Sequence, residues 1–290
     1  MANKFGLIRY PGSKAKLCKP IVDAMPDEIT LGLWSFEHSW EYREPFFGSG
    51  AIGFRIMDSL SARCKVWLND RDYWLVCLWN AVKDSHDELI SMVREFKPSA
   101  DKFFEFKSQD GDTGVDPLLA GFRKLAIHQM SVSGFGVMSG TCLGGRKQEN
   151  ARYPVGCRWN PIRLAEHIAN RHSQMRRFGS RLSITCKDFS RVLENCPPRC
   201  FVYLDPPYVE KGEMLYKHGM DETEHRRLAD AVAGMRCEWM LSYDDHPLIR
   251  ELYSQCEFRE IAVTYSNATN AAITRPKNKE ILILPARTKA

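Results

Sequence analysis

The 290-residue chain has no apolar run approaching the ~18 residues that a bilayer-spanning helix needs. Its opening Met-Ala-Asn-Lys-Phe-Gly lacks the apolar core of a signal peptide. Membrane insertion and secretion are therefore not expected. The ten cysteines do not make a small disulfide scaffold, because the chain is too long for one. Cys196 and Cys200 are the closest-spaced pair, and no second pair or His-x-x-x-His partner completes four zinc ligands. Free thiols in a reducing, cytoplasmic setting, without a metal, are the expectation. A large charge imbalance is missing too: the net charge is +5, which fits a polyanionic partner but is shared by many proteins without one. What the chain does have is a 44% apolar and 11% aromatic composition, enough for a full core. Its length suits one large domain or a domain with a substantial insertion.

Short apolar runs alternate with helical patterns. Strands are expected at Tyr42–Phe46, Lys65–Asn69, Phe201–Leu204 and Glu238–Ser242. Helices are expected at Ala51–Leu60, Trp74–Val82, Thr223–Met235 and Pro247–Tyr253. In the third of these helices Leu228, Val232 and Met235 fall on one face, with Thr223 as the expected N-cap. Alternation of this kind implies a mostly parallel sheet covered on both faces. Ile261–Ser266 and Glu280–Leu284 have no helix between them and read as an antiparallel pair at the sheet edge. The architecture is therefore α/β with a mixed sheet.

From about Asp84 to Asn160 the alternation lapses. Within that stretch Ser131 to Gly145, SVSGFGVMSGTCLGG, reads as a loop or hairpin on an inserted module. Between Thr141 and Lys187 there are ten basic residues and two acids, Glu149 and Glu166. Beside a Gly-rich loop and the aromatics Tyr153 and Trp159, that excess points to a nucleic-acid contact.

Three motifs carry chemistry. Asp205-Pro206-Pro207-Tyr208 follows the buried strand directly. A Pro-Pro pair there fixes two φ angles and withholds two backbone donors, so its carbonyls can face a ligand above the sheet. An acidic acceptor, a rigid carbonyl and an aromatic ring together suit an amine on a flat base. Glu44-Pro45-Phe46-Phe47-Gly48-Ser49-Gly50 is a glycine turn between strand and helix, where backbone can approach a ligand closely. Asn69-Asp70 lies about 20 residues on, placed to accept hydrogen bonds from ribose hydroxyls. This spacing points to a nucleoside-containing cofactor. NAD is disfavoured, since Gly53 is the only further glycine nearby and the full Gly-x-Gly-x-x-Gly is absent. Arg9-Tyr10-Pro11-Gly12-Ser13-Lys14 is, alone, a basic turn.

In this order, and with Lys187-Asp188-Phe189 before Asp-Pro-Pro-Tyr, the chain resembles the Dam-type DNA adenine N6-methyltransferases over most of its length. The closing Lys279-Glu280-Ile281-Leu282-Ile283 is similar to that family's last strand. The resemblance implies a Rossmann-like class I methyltransferase fold, S-adenosylmethionine as cofactor and double-stranded DNA as partner; it leaves the oligomeric state open, a monomer being compatible with it. It implies a catalytic domain of residues 1–83 and 161–290 and an inserted target-recognition domain of residues 84–160. Tyr10, Lys14, Glu44, Phe46, Gly48, Ser49, Gly50, Asp70, Asp188, Phe189 and Asp205 are then expected to line the cofactor site, Asp188 and Phe189 bracketing the adenine. Asp205, Pro206, Pro207 and Tyr208 are the expected catalytic group. Arg9, Ser133, Gly134, Phe135, Arg146, Lys147, Arg152, Tyr153 and Arg158 are the expected DNA contacts. Where the family commonly carries Asn-Arg-x-x-Phe-Asn-Gly, this chain has Gln129 to Val137, and Tyr153-Pro154-Val155-Gly156 stands for the element that follows. GATC recognition is accordingly not implied. Methylation of RNA adenine or of the cytosine amine is the alternative chemistry, and a binding module without catalysis the alternative class. Asp at the first position of the tetrapeptide leans towards adenine.

Overall fold

The computed structural model describes residues 6–10, 12–25, 27, 40–209, 217–261 and 280–286. Among the described residues seven strands form one sheet: β1 (Glu41–Glu44), β2 (Lys65–Asn69), β3 (Leu182–Thr185), β4 (Cys200–Leu204), β5 (Glu238–Asp244), β6 (Glu257–Ile261) and β7 (Glu280–Leu284). Their order is β3-β2-β1-β4-β5-β7-β6. The first five are parallel, and β7 runs antiparallel between β5 and β6. This is the Rossmann-like mixed sheet with a C-terminal antiparallel pair that the sequence predicts. The last pair differs in detail: β6 ends at Ile261, and residues 262–266 of the expected strand lie outside the described residues.

Every residue of β4 is buried, as a strand covered on both faces requires. Alternate side chains feed opposite cores: Phe201 and Tyr203 enter one, Val202 and Leu204 the other. The first core is built with α1 (Cys18–Asp23), α2 (Ala51–Met57), α3 (Tyr73–Asp84), α4 (His86–Glu95), α5 (Ala100–Ser108), α6 (Pro117–Met130) and α7 (Pro161–Arg176). The second is built with α8 (Phe189–Leu193), α9 (Glu222–Ala233) and α10 (Pro247–Leu252). Helix α9 starts earlier than expected. Asp221, not Thr223, is its N-cap, because its carboxylate reaches the Glu224 amide at 2.8 Å.

Residues 84–160 supply α4, α5 and α6 and then little regular structure. Ser131–Gly145 forms two short 3-10 turns, Val132–Gly134 and Gly136–Met138, closed by one bridge between Ser131 and Cys142. Phe103, Phe122 and Leu125 from this stretch share the first core with Leu75 and Trp79 of α3. Buried Lys124 adds a polar anchor: its ammonium pairs with Asp72 at 2.5 Å and Asp110 at 3.0 Å. Asp72 is the N-cap of α3, so α6 is tied to the chain just beyond β2.

Candidate active site

The strand order reverses between β1 and β4, and a crevice opens above the carboxyl ends of two such strands. Glu44 ends β1, and the chain then turns into α2. Gly48 and Gly50 take left-handed φ values of 50° and 70° in that turn, which a side chain would resist. Trp79 of α3 fastens the turn by donating its indole N–H to the Gly48 carbonyl at 3.0 Å. Gly53 lets α2 sit directly on Glu44: a side chain there would run into the Glu44 carboxylate, and into Phe47 Cε2 at 2.7 Å.

Glu44 is buried and accepts a 2.7 Å hydrogen bond from Tyr42 Oη. Burial holds its carboxyl well above the usual range, and the charges of Asp205 and Asp70 push the same way. Asp70, at the end of β2, accepts from the amides of Gly48 (2.7 Å) and Asp72 (2.9 Å). Burial raises it to about 6, the Asp72 and Gly48 amides pulling in the other direction.

Beyond β4 comes Asp205. Lys14 Nζ lies 2.8 Å from its Oδ1, and Ser242 of β5 donates to the same oxygen at 2.8 Å. Among the described residues both donors reach Oδ1, which leaves Oδ2 for a further donor. Ser242 is itself 2.9 Å from Tyr203 Oη, so a short relay runs from the core to the carboxylate. Lys14 is buried; it also donates to the Gly12 carbonyl at 3.0 Å and stands 4.5 Å from the Tyr208 ring centroid. Tyr208 donates to Glu280 of β7 at 3.2 Å.

One solvent-open cleft joins these groups. Tyr10, Lys14, Glu44, Phe46, Gly48, Ser49, Asp70, Phe189, Asp205 and Pro207 all line it. Phe46 and Phe189 face each other with ring centroids 5.6 Å apart. Gly50 sits just behind, at the start of α2. Pro206, Tyr208 and Asp188 do not line it. Asp188 instead caps α8 and pairs with Arg227 at 2.8 Å. Burial works against its charge, but Arg227 holds the carboxyl below the usual range. Lys217, His218, Met220 and Glu224 complete the wall. No motif announces them: Lys217, His218 and Met220 precede α9, and Glu224 lies in its first turn. Lys217 reveals its role only through the fold, where it pairs with Asp110 at 2.6 Å.

A family model of D12 class N6 adenine-specific DNA methyltransferases matches residues 10–267. The chain belongs to this family. It is an S-adenosylmethionine-dependent methyltransferase that acts on the N6 amine of adenine in DNA. It is 25% identical over 285 residues to the Type II methyltransferase M1.LlaDCHI of Lactococcus lactis subsp. cremoris, covering 95% of this chain and 93% of that one. It is 26% identical over 208 residues to the Type II methyltransferase M.MjaIII of Methanocaldococcus jannaschii, covering 69% and 68%. Among solved structures, the rRNA methyltransferase aviRa from Streptomyces viridochromogenes aligns at a TM-score of 0.36 with 13% identity, covering 96% of this chain and 86% of that one.

The methyltransferase also gathers several of its expected DNA contacts. Arg9 meets Gly134, where an added Cβ would lie 2.5 Å from Arg9 Cβ. His128 clamps the two segments: its Nδ1 lies 3.0 Å from the Arg9 carbonyl and 3.1 Å from that of Gly134, which requires the N–H on Nδ1. Burial, with Lys124 nearby, lowers the His128 pKa to about 4, so the ring is neutral. Arg158 donates to the Ser131 carbonyl at 3.2 Å. Arg9, Arg158, Arg163 and His167 line a second pocket that has no carboxylate among its lining residues. Ser133 is exposed, in a left-handed φ of 55°, and Phe135 is half-buried beside it. Arg146, Lys147, Arg152 and Tyr153 do not line that pocket. Arg146 lies over the Phe104 ring at 3.9 Å, and Arg152 over that of Tyr153, itself 58% exposed. Other parts of the basic excess serve the fold: Arg171 covers Phe54, and Arg177 and Arg181 donate to the carbonyls of Leu60 and Ala62.

Proposed function

We propose that Asp205-Pro206-Pro207-Tyr208 is the transfer site, acting on an adenine flipped out of duplex DNA. The observation that carries this reading is the fixing of Asp205 Oδ1 by Lys14 and Ser242. A carboxylate held through one oxygen presents the other in a set direction, as positioning catalysis needs. The N6 amine is conjugated with its ring and is a poor nucleophile. Hydrogen bonds from its two N–H groups to Asp205 and the Pro206 carbonyl favour a pyramidal nitrogen with an available lone pair. No strong base is needed before transfer. Flipping costs roughly a few kcal/mol, and stacking on Tyr208 recovers part of it.

The cleft fits the cofactor by charge. Glu44, Asp70 and Asp205 converge there, the charges of Asp205 and Asp70 pushing the Glu44 carboxyl up, and a cofactor whose sulfonium and ammonium outnumber its one carboxylate brings net positive charge to that acidic set. When bound, S-adenosylmethionine supplies an electrophilic methyl group. Asp70 is the acceptor for its ribose hydroxyls, the Gly48–Gly50 turn allows close approach of its methionine end, and Phe46 and Phe189 flank the flat base. Asp188 then acts from the edge of that site while held by Arg227.

Residues 84–160 form the target-recognition domain in this reading, and residues 1–83 and 161–290 the catalytic domain. Support comes from the carboxylate-free basic pocket, which Arg9, Arg163 and His167 of the catalytic segments line together with Gln129 and Arg158 of the recognition segment, a charge that suits phosphate. The Gly-rich replacement at Gln129–Val137 favours relaxed specificity. Plasmid DNA methylated by the protein and sequenced by a method that reports modified adenines tests this: many sequence contexts are expected, and modification confined to one tight motif refutes relaxed recognition.

A further inference from the structure

Three cysteines from separate elements, Cys196, Cys200 and Cys237, bring their sulfur atoms within 4.8 Å of one another. Cys200 opens β4 and Cys237 precedes β5. The parallel register pairs Phe201 with Glu238, so the residues just before them stand side by side at the amino-terminal edge of the sheet. Cys196 comes in from α8. Asn195 adopts a left-handed φ of 51°, which turns the chain back towards β4. Arg43 of β1 fixes that turn: Nη1 donates to the carbonyls of Val192 (2.6 Å) and Glu194 (2.9 Å), and Nη2 to that of Asn195 (3.4 Å). Cys200 and Cys237 are buried and Cys196 is half-buried, so the triangle has one corner that solvent can reach.

We propose that this triad is a binding site for one thiophilic divalent cation of the zinc type, with water in the fourth position. Cysteine sulfur binds Zn²⁺ at about 2.3 Å, which sets the sulfurs of a tetrahedral site roughly 3.8 Å apart. From separations of at most 4.8 Å, each sulfur needs to move by less than ~1 Å to reach that geometry. Binding converts three thiols to thiolates and releases three protons to solvent; one is the proton that Cys196 donates to the Leu193 carbonyl. Three thiolates and a dication leave one negative charge. Arg43, whose charge interacts with Cys196 and Cys200, offsets it. The site lies at the opposite end of β4 from Asp205, so it fastens the entry to β4 and β5 and takes no part in methyl transfer. It stands or falls independently of the catalytic assignment.

Cobalt tests it directly. The full chain, purified without a metal-affinity step, stripped with chelator and reduced, is titrated with Co²⁺ and followed by absorption. One equivalent should give a thiolate-to-cobalt charge-transfer band and the visible bands of tetrahedral Co²⁺. Cys196→Ser, at the half-buried corner, should weaken binding by about tenfold or more and diminish the charge-transfer band, while Cys186→Ser, at an exposed cysteine elsewhere, leaves both unchanged. Excess Zn²⁺ should bleach the spectrum. Folded, reduced protein that gives no thiolate band overturns the proposal. So does a band that survives both Cys196→Ser and Cys237→Ser, or a disulfide within the triad, seen by mass before reduction, whose reduced form takes up no cobalt.

Discussion

Lys14 Nζ lies 2.8 Å from Asp205 Oδ1 and 4.5 Å from the centroid of the Tyr208 ring. One buried ammonium thus touches both ends of the Asp-Pro-Pro-Tyr segment. It joins the first motif of the chain to the last, which lie 191 residues apart (205 − 14).

Lys14→Met keeps the aliphatic stem and removes the charge. Asp205 Oδ1 is then held by Ser242 alone. Methyl transfer should fall by about 10²-fold, chiefly in kcat, with DNA affinity little changed and the melting temperature lowered, because the Asp205 carboxylate loses its ammonium partner. Single-turnover transfer of labelled methyl to DNA, beside thermal melting, measures both; an unchanged rate removes Lys14 from the account.

Gly53→Ala puts a methyl group against the Glu44 carboxylate and Phe47. Overpacking of this kind costs about 1–3 kcal/mol, or roughly 2–4 °C in Tm per kcal/mol for a chain of this size. S-adenosylmethionine binding should weaken as the turn shifts. Gly140→Ala, which meets nothing within 4 Å, is the control and should be silent in both melting and calorimetry.

Acidification should separate cofactor binding from stability. Asp70 is raised from 3.8 to about 6. Between those values the folded chain holds a proton that the unfolded chain has lost, so this group's share of stability declines as pH rises through the window and stays unfavourable above it. In the proposed role of Asp70 the ribose hydroxyls donate to the ionised carboxylate, so cofactor affinity should drop about tenfold per pH unit below 6. Asp70→Asn should weaken binding at neutral pH and flatten the profile. Calorimetric titration across pH 4.5–8 reads the effect.

The basic pocket makes a prediction about salt. Arg158→Ala and Arg163→Ala should each reduce the slope of log K against log salt for DNA by about one. Neither should change kcat at saturating DNA. Fluorescence anisotropy over a range of salt concentrations measures the slope; an unchanged slope in both variants places the phosphate contacts elsewhere.

Much of the fold was legible in the sequence, because both periodicities were strong. β2 falls at Lys65–Asn69 as read, and β4 begins one residue earlier than expected. Side chains alternating between two cores force a continuous apolar run there, and that is easily seen. The N-cap of α9 was misplaced because Asp221 and Thr223 are both competent caps, and only the backbone path chooses between them. The motifs announced Lys14, Glu44, Asp70 and Asp205 individually. Their convergence needed the strand order β2-β1-β4, which spacing does not encode. Long-range pairs were hidden for the same reason. Lys124 reads as one more lysine in a helix until Asp72 and Asp110 close on it, and Arg227 gives no hint of Asp188. Cysteine counting saw a lone pair at Cys196 and Cys200, because the third sulfur arrives through the β4–β5 register.

The central claim is that Asp205, oriented by Lys14 and Ser242, accepts the hydrogen bond that readies the N6 amine. Labelled methyl transfer from S-adenosylmethionine to duplex DNA by Asp205→Ala tests it most directly, with cofactor binding and melting measured on the same sample. The account predicts that the variant folds and retains some cofactor binding while transfer falls by about 10³-fold or more. Transfer near the unmodified rate would contradict it.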